Sequence, residues 1–93
     1  MADDPVEKAC VVQNKMGLHA RPAALIVQTA NKFKCDVTLE KDGQSVNGKS
    51  IMGVLMLAAA KGSTITVRAE GDTAKDCVAA LSALFDKGFN EQM

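Results

Sequence analysis

The chain has 93 residues, a length that fits one domain and leaves no room for a second hydrophobic core. Its eleven basic and eleven acidic side chains cancel and do not cluster, which argues against a nucleic-acid partner. The acidic start (MADDPVEKAC) does not resemble a signal peptide and no apolar run reaches membrane-spanning length, so we expect a cytoplasmic protein without membrane insertion.

The first predicted elements are a strand and a helix. Residues 6–14 (VEKACVVQN) are apolar and β-branched enough for a strand. A helix should begin around Ala20 to Pro22, because apolar residues then recur at three- and four-residue spacing as far as Phe33. Pro22 fits the first turn of that helix, where its missing N–H costs nothing.

A hairpin should follow. Residues 35–41 (CDVTLEK) alternate between apolar and polar side chains, which predicts a strand with one solvated face. The next two residues, Asp42 and Gly43, are typical of a tight turn, so residues 44–47 should pair back against this strand.

The rest of the chain predicts helix, strand, helix. A second helix should begin after Ser50 as its N-cap and stop at Gly62. Residues 63–70 alternate again and form a fourth strand. A third helix, capped by Asp72, should end at Gly88.

This βαββαβα order predicts one two-layer α+β domain over residues 1–93. Each clearly patterned strand has a single apolar face, so the sheet should be antiparallel and covered by helices on one side only.

The three cysteines, Cys10, Cys35 and Cys77, are odd in number and widely spaced, which predicts buried reduced thiols. A zinc site that combines them with His19 is a formal alternative, but the chain lacks close-spaced ligand pairs, so we expect no metal.

The sole histidine, His19, precedes the first helix in the stretch MGLHARPAA. Unpaired N–H groups at a helix start, here from Ala20 onward, favour a neutral ring and attract anions. Arg21 adds forked donors, Gly17 would allow close backbone approach, and Pro22 would stiffen the turn. A phosphohistidine site follows as one interpretation; a solvated capping histidine is the other.

Two segments resemble the HPr family, the histidine-containing phosphocarriers of the bacterial phosphoenolpyruvate-dependent sugar phosphotransferase system. They are MGLHARPAALIVQTA and VNGKSIMGVLMLAAAKG, and the resemblance runs in register from about Val6 to Phe85. It implies an open-faced β-sandwich with strand order 1-4-2-3 and three helices on one face. Residues 1–5 would then be an N-terminal extension and residues 89–93 a C-terminal tail.

The resemblance also implies roles for individual residues. His19 matches the histidine that phospho-Enzyme I phosphorylates on Nδ1 and that EIIA components dephosphorylate. Arg21 matches the arginine that steadies the phosphoryl group. Ser50 matches the serine modified by an ATP-dependent HPr kinase/phosphorylase. The protein would thus be a phosphocarrier without a cofactor, and not a stand-alone enzyme.

The second helix should carry a docking surface, since residues 50–60 contain no charged side chain. A helix on one face of a sheet buries only part of its circumference, so some of Ile51, Met52, Leu55 and Met56 should be exposed for partners. A phosphoryl group on Ser50 would place negative charge beside them.

Two alternatives within the same family stay open. One is a nitrogen-related paralogue that serves a separate phosphorelay. The other is a regulatory module that binds a partner through Ser50; members of that kind can lack the active histidine, which this chain has as His19.

Overall fold

Four strands form one antiparallel sheet in the order β1-β4-β2-β3 in the computed structural model, which describes residues 5–93. They are β1 (Val6–Val11), β2 (Asp36–Lys41), β3 (Gln44–Asn47) and β4 (Thr64–Glu70). The strand order confirms the prediction. Residues 1–4, most of the predicted N-terminal extension, lie outside the described residues.

Three helices cover this sheet within residues 5–93: α1 (Ala20–Ala30), α2 (Ile51–Met56) and α3 (Ala74–Asp86). The third packs against β1 and β4, α1 lies beside α3, and α2 contacts α1 and β3. Alternation along β2 and β4 sends one set of side chains into the core beneath the helices. This set comprises Val37, Leu39, Ile65, Val67 and Ala69. The two-layer α+β fold is therefore confirmed.

The second helix is shorter than predicted: it ends at Met56, not near Gly62. Ala58 has a φ of 48°, a left-handed conformation that stops a helix. The Ala59 carbonyl then accepts a hydrogen bond from the Leu18 N–H at 2.9 Å, in the loop before α1. The segment after the helix thus contacts the loop that carries His19.

Other boundaries differ by a few residues. The first strand ends at Val11, three residues before its predicted end at Asn14. Thr73, not Asp72, occupies the N-cap position of α3. The predicted hairpin is confirmed, with φ values of 50° at Asp42 and 83° at Gly43, as a turn between β2 and β3 requires.

The predicted C-terminal tail packs back onto the fold. A short 3₁₀ turn, which we call η1 (Gly88–Asn90), follows α3. Phe89 is completely buried, and its ring meets that of Phe85 edge to face with centroids 5.0 Å apart. Burial of this ring outweighs the left-handed backbone at Phe89 (φ 56°) and fixes where the next residues lie.

Candidate functional site

His19 occupies the N-cap position of α1, with extended backbone (φ −79°, ψ −167°). Its carbonyl accepts the first helical hydrogen bond, from the Ala23 N–H at 3.0 Å. The N–H groups of Ala20 and Arg21 lie in the first turn, where a helix offers no acceptor, and Pro22 contributes none. The imidazole of this N-cap residue is 40% exposed and is therefore open to a partner.

Gly17 shapes the loop before this helix. It is buried with a φ of 70°, and a Cβ there would collide with the Ala59 carbonyl oxygen. The Gly17 N–H donates a hydrogen bond to the Asn14 carbonyl at 3.2 Å, and the Gly17 carbonyl accepts one from the His19 N–H at 3.0 Å. The glycine thus serves close packing against the segment after α2, and it does not line the cavity beside His19 where we expected a phosphoryl group to approach.

Glu91, from the segment after η1, binds the histidine ring. Its two carboxylate oxygens lie 2.8 and 3.0 Å from His19 Nε2. The buried Asn14 amide nitrogen donates to Glu91 Oε1 at 3.0 Å and to the Gly17 carbonyl at 2.8 Å. Asn14 therefore links the carboxylate to the loop that carries His19.

The charge on Glu91 is stabilised in this position. The hydrogen bond with His19, together with that from Asn14 and the nearby Arg21 charge, holds the pKa of Glu91 below its ordinary value, against the opposing effect of partial burial. Its side chain is 12% exposed. A carboxylate thus sits on the Nε2 side of the ring, whereas within residues 5–93 Nδ1 has no hydrogen-bond partner.

A cavity of about 490 Å³ opens beside the ring. Its lining comprises Lys15, Met16, His19, Arg21, Asn90, Glu91 and Gln92. The Lys15 N–H donates to the Gln92 carbonyl at 2.7 Å, which joins the two chain segments that form the walls. Two residues with cationic side chains, Lys15 and Arg21, thus line the same cavity as His19 at the start of α1, a setting that suits a phosphoryl dianion.

The predicted regulatory and docking residues lie together on α2. Ser50 is its N-cap, and its hydroxyl oxygen accepts a hydrogen bond from the Gly53 N–H at 3.2 Å. Ile51, Met52 and Met56 are exposed, Met52 to 71%. Leu55 differs from them because it is half-buried against the core.

The cysteines are free and buried, as predicted. Burial, and then the neighbouring Cys35 thiol, raises the pKa of Cys77 to about 12. Within residues 5–93, no group of three or more His, Cys, Asp or Glu side chains is placed to hold a metal ion. The described helices include none long and apolar enough to cross a bilayer.

Sequence reasoning did not identify Glu91, Asn14, Lys15 or Met16 as site residues. Glu91 lies 72 positions after His19, and its approach depends on the turn made by η1. One clue was available: Phe89 is a large apolar residue directly after the helix-ending Gly88, which indicates that the chain turns back to bury it.

Known proteins resemble this chain over most of its length. Residues 6–87 match the family described as PTS HPr component phosphorylation site. The phosphocarrier protein HPr of Xylella fastidiosa (strain 9a5c) is 49% identical over 86 residues, 92% of this chain and 97% of that protein. The HPr-like protein Crh of Halalkalibacterium halodurans is 51% identical over 82 residues, 88% of this chain and 98% of that protein.

The fold agrees with that similarity. A crystal structure of HPr-C-His from Thermoanaerobacter tengcongensis superposes with a TM-score of 0.90 at 44% identity, covering 95% of this chain and 99% of that one. The family match spans most of the residues of the sheet and helices, His19 included. The chain therefore belongs to the HPr family of phosphotransferase-system phosphocarriers.

Proposed function

We propose that this protein accepts a phosphoryl group on His19 Nδ1 from phospho-Enzyme I, charged by phosphoenolpyruvate, and passes it to EIIA components for sugar uptake. The observation that carries the proposal is the setting of the ring. His19 is exposed at the start of α1, Nε2 is bound to Glu91, and Lys15 and Arg21 line the adjoining cavity.

The chemistry fits a carrier better than an enzyme that acts alone. Phosphoryl transfer needs positioning and charge stabilisation, which the helix start and two cationic side chains supply at His19. One exposed nucleophile that both takes and gives the group is sufficient for a relay. The donor and the acceptor proteins then supply the remaining parts of each transfer.

The exposed surface of α2, formed by Ile51, Met52 and Met56, supports docking of those partners. It is apolar, and methionine side chains adapt to several partners. Met16, exposed on the cavity wall beside His19, adds a further apolar contact. Enzyme I and the EIIA proteins would bind this surface one after the other, since each must reach the same histidine.

The direct test is incubation with labelled phosphoenolpyruvate and purified Enzyme I. Wild-type protein should gain one acid-labile phosphoryl group and lose it on addition of an EIIA protein. The His19→Ala variant should stay unlabelled. Labelling of His19→Ala to the same extent as wild type, or a wild-type protein that takes up no label, would rule the proposal out. Running the assay with a nitrogen-related Enzyme I as well separates the two branches of the family by their relative rates.

A regulatory function through Ser50 is a second candidate, favoured by the 51% identity to an HPr-like protein Crh. An HPr kinase/phosphorylase would modify the Ser50 hydroxyl, which lies beside the exposed apolar side chains of α2. Incubation with ATP and such a kinase should phosphorylate wild-type protein and leave Ser50→Ala unmodified. Labelling of both proteins to the same extent would remove Ser50 as the site.

A further inference from the structure

The C-terminal segment contributes a carboxylate to the histidine that the proposed function uses. Glu91 Oε1 and Oε2 lie 2.8 and 3.0 Å from His19 Nε2, and the side chain is only 12% exposed. Three features hold the Glu91 side chain in this place. Phe89, two residues earlier, is buried in the core; the Lys15 N–H donates to the carbonyl of Gln92, the next residue; and Asn14 Nδ2 donates to Glu91 Oε1. The carboxylate is therefore built into the site and is not a loose surface contact.

We propose that Glu91 is a positioning residue for phosphoryl transfer, which holds the proton of the His19 ring on Nε2 and leaves the Nδ1 lone pair free to attack phosphorus. A carboxylate accepts hydrogen bonds and has none to give when ionised, so the ring nitrogen facing it must be the one that carries hydrogen. Neutral imidazole has one such hydrogen, and the other nitrogen is then the nucleophile.

The same contact stabilises the product of the transfer. The Nδ1 lone pair forms the new N–P bond, while the bond from phosphorus to the donor atom of phospho-Enzyme I breaks and its electron pair stays on the donor. The ring keeps its Nε2 proton and so becomes a formal cation. Glu91 faces that cation as an anion, as a carboxylate does for an imidazolium in hydrolytic triads. Lys15 and Arg21, which also line the cavity, remain available for the phosphoryl oxygens.

Two substitutions separate the two roles. Glu91→Gln keeps an acceptor oxygen but loses the charge, and Glu91→Ala loses both. We expect phosphorylation by Enzyme I to slow by roughly tenfold in Glu91→Gln and more in Glu91→Ala, since hydrogen bonds to charged groups are the stronger kind. Glu40→Gln, which removes an exposed carboxylate from β2, is the matched control and should react at the wild-type rate.

This inference rests on the proposed function for its kinetic consequence, but ¹⁵N NMR of the unphosphorylated ring tests the contact by itself. Wild type should show hydrogen on Nε2 alone when the ring is neutral, with an Nε2–H proton slow to exchange with water. Glu91→Ala should show a mixture of the two tautomers and fast exchange. Identical ring spectra in wild type and Glu91→Ala would overturn the inference even if wild type is phosphorylated. A changed spectrum with wild-type transfer rates in both variants would overturn it as well.

If wild type accepts no phosphoryl group at all, the proposed function fails, whereas the NMR comparison still decides whether Glu91 sets the tautomer. Thermal unfolding of each variant checks that the fold is intact. If Glu91→Ala fails to fold, the ring resonances of Glu91→Gln provide the second measurement. Loss of the slowly exchanging Nε2–H proton in Glu91→Gln supports the inference. An exchange rate equal to that of wild type contradicts a role for the carboxylate charge.

Discussion

The two ring nitrogens of His19 lie in different surroundings. Nε2 faces the Glu91 carboxylate at 2.8 Å, whereas Nδ1 has no hydrogen-bond partner within residues 5–93. His19 occupies the N-cap position of α1, where the backbone N–H groups of the first turn favour negative charge. One residue thus combines a ring nitrogen that faces a carboxylate, a second nitrogen without a partner and a positive field, a setting that suits the proposed role of reversible phosphoryl acceptor.

Arg21 is the residue in which side-chain charge should matter most for the transferred group. It lines the cavity beside His19 and is exposed, so its contribution should fall at the lower end of the range for charged hydrogen bonds. We expect Arg21→Ala to slow phosphorylation by Enzyme I about tenfold. Stopped-flow or quenched-flow labelling with phosphoenolpyruvate measures this rate.

Arg68→Ala is the control for that substitution. Arg68 is also exposed, but it lies on β4 and pairs with Glu7 at 3.6 Å on the sheet. Its removal should change the rate less than twofold, because Arg68 does not line the cavity beside His19. Equal loss of rate in both variants would show that only net charge matters and that Arg21 has no local role.

Local chemistry made His19 and Arg21 candidates, because helix start, histidine and arginine lie within a few residues of one another, but only the family resemblance chose between a phosphohistidine and a capping histidine. The unpaired backbone N–H groups at a helix start act on side chains only a few residues away, so a short stretch of sequence is enough to see this part of the site. Glu91 could not be identified in this way, since its contact with His19 spans 72 positions and requires the turn at η1 and the burial of Phe89.

Among the elements, α2 places the proposed docking surface beside Ser50, the proposed regulatory serine. Ser50 caps this six-residue helix, and Ile51, Met52 and Met56 are exposed on it. Its early end at Met56 could not be predicted from the apolar run LMLAAAKG, whose composition favours a longer helix. Directly after the helix, Ala58 has a left-handed backbone, and the Ala59 carbonyl accepts a hydrogen bond from the N–H of Leu18, which is distant in sequence.

Negative charge at Ser50 should weaken partner docking and leave the fold intact. An aspartate still accepts a backbone hydrogen bond at an N-cap, and the helix start tolerates its charge. We expect Ser50→Asp to accept phosphate from Enzyme I on the order of tenfold more slowly, because charge at the edge of an interface mainly changes association. The measurement is the phosphorylation rate as a function of Enzyme I concentration.

Ser50→Ala separates the charge from the cap. It removes the hydroxyl that accepts from Gly53 N–H, so it should lower the free energy of unfolding by about 1 kcal/mol, measured by denaturant titration. Its transfer rate should stay close to that of wild type. A wild-type rate in Ser50→Asp, or the same slowing in both variants, would contradict an electrostatic mechanism at this position.

At the scale of the whole molecule, the sheet and its covering helices follow from patterns that the sequence makes plain. Alternation along β2 and β4 identifies their buried faces, and the Asp42–Gly43 turn fixes the pairing of β2 with β3. The order of strands required the family resemblance, since alternation defines faces but not neighbours. The described fold then brings residues near 15 and residues near 91 to the same site.

The buried thiols should make the stability of the molecule sensitive to alkaline pH. The pKa of Cys77 is raised to about 12 by burial and by Cys35 beside it, whereas an unfolded thiol titrates near 8.5. A raised pKa contributes stability that is fully present below about pH 8.5 and is lost as pH rises toward 12. Burial likewise raises the pKa of Cys10.

We therefore expect the free energy of unfolding to fall between about pH 8.5 and 12. Denaturant titrations across this range measure the slope, and Cys77→Ala, although less stable at neutral pH, should show a shallower one. The same slope in Cys77→Ala as in wild type would mean that other groups, such as the lysines, account for the alkaline loss.

The position of phosphorus on the His19 ring distinguishes most sharply between a nucleophilic Nδ1 and a nucleophilic Nε2. After charging with phosphoenolpyruvate and Enzyme I, the scalar couplings between phosphorus and the ring atoms distinguish the two nitrogens by NMR. We expect one phosphoryl group on Nδ1, the nitrogen that Glu91 leaves free. Phosphorus on Nε2, or on any residue other than His19, would contradict this expectation.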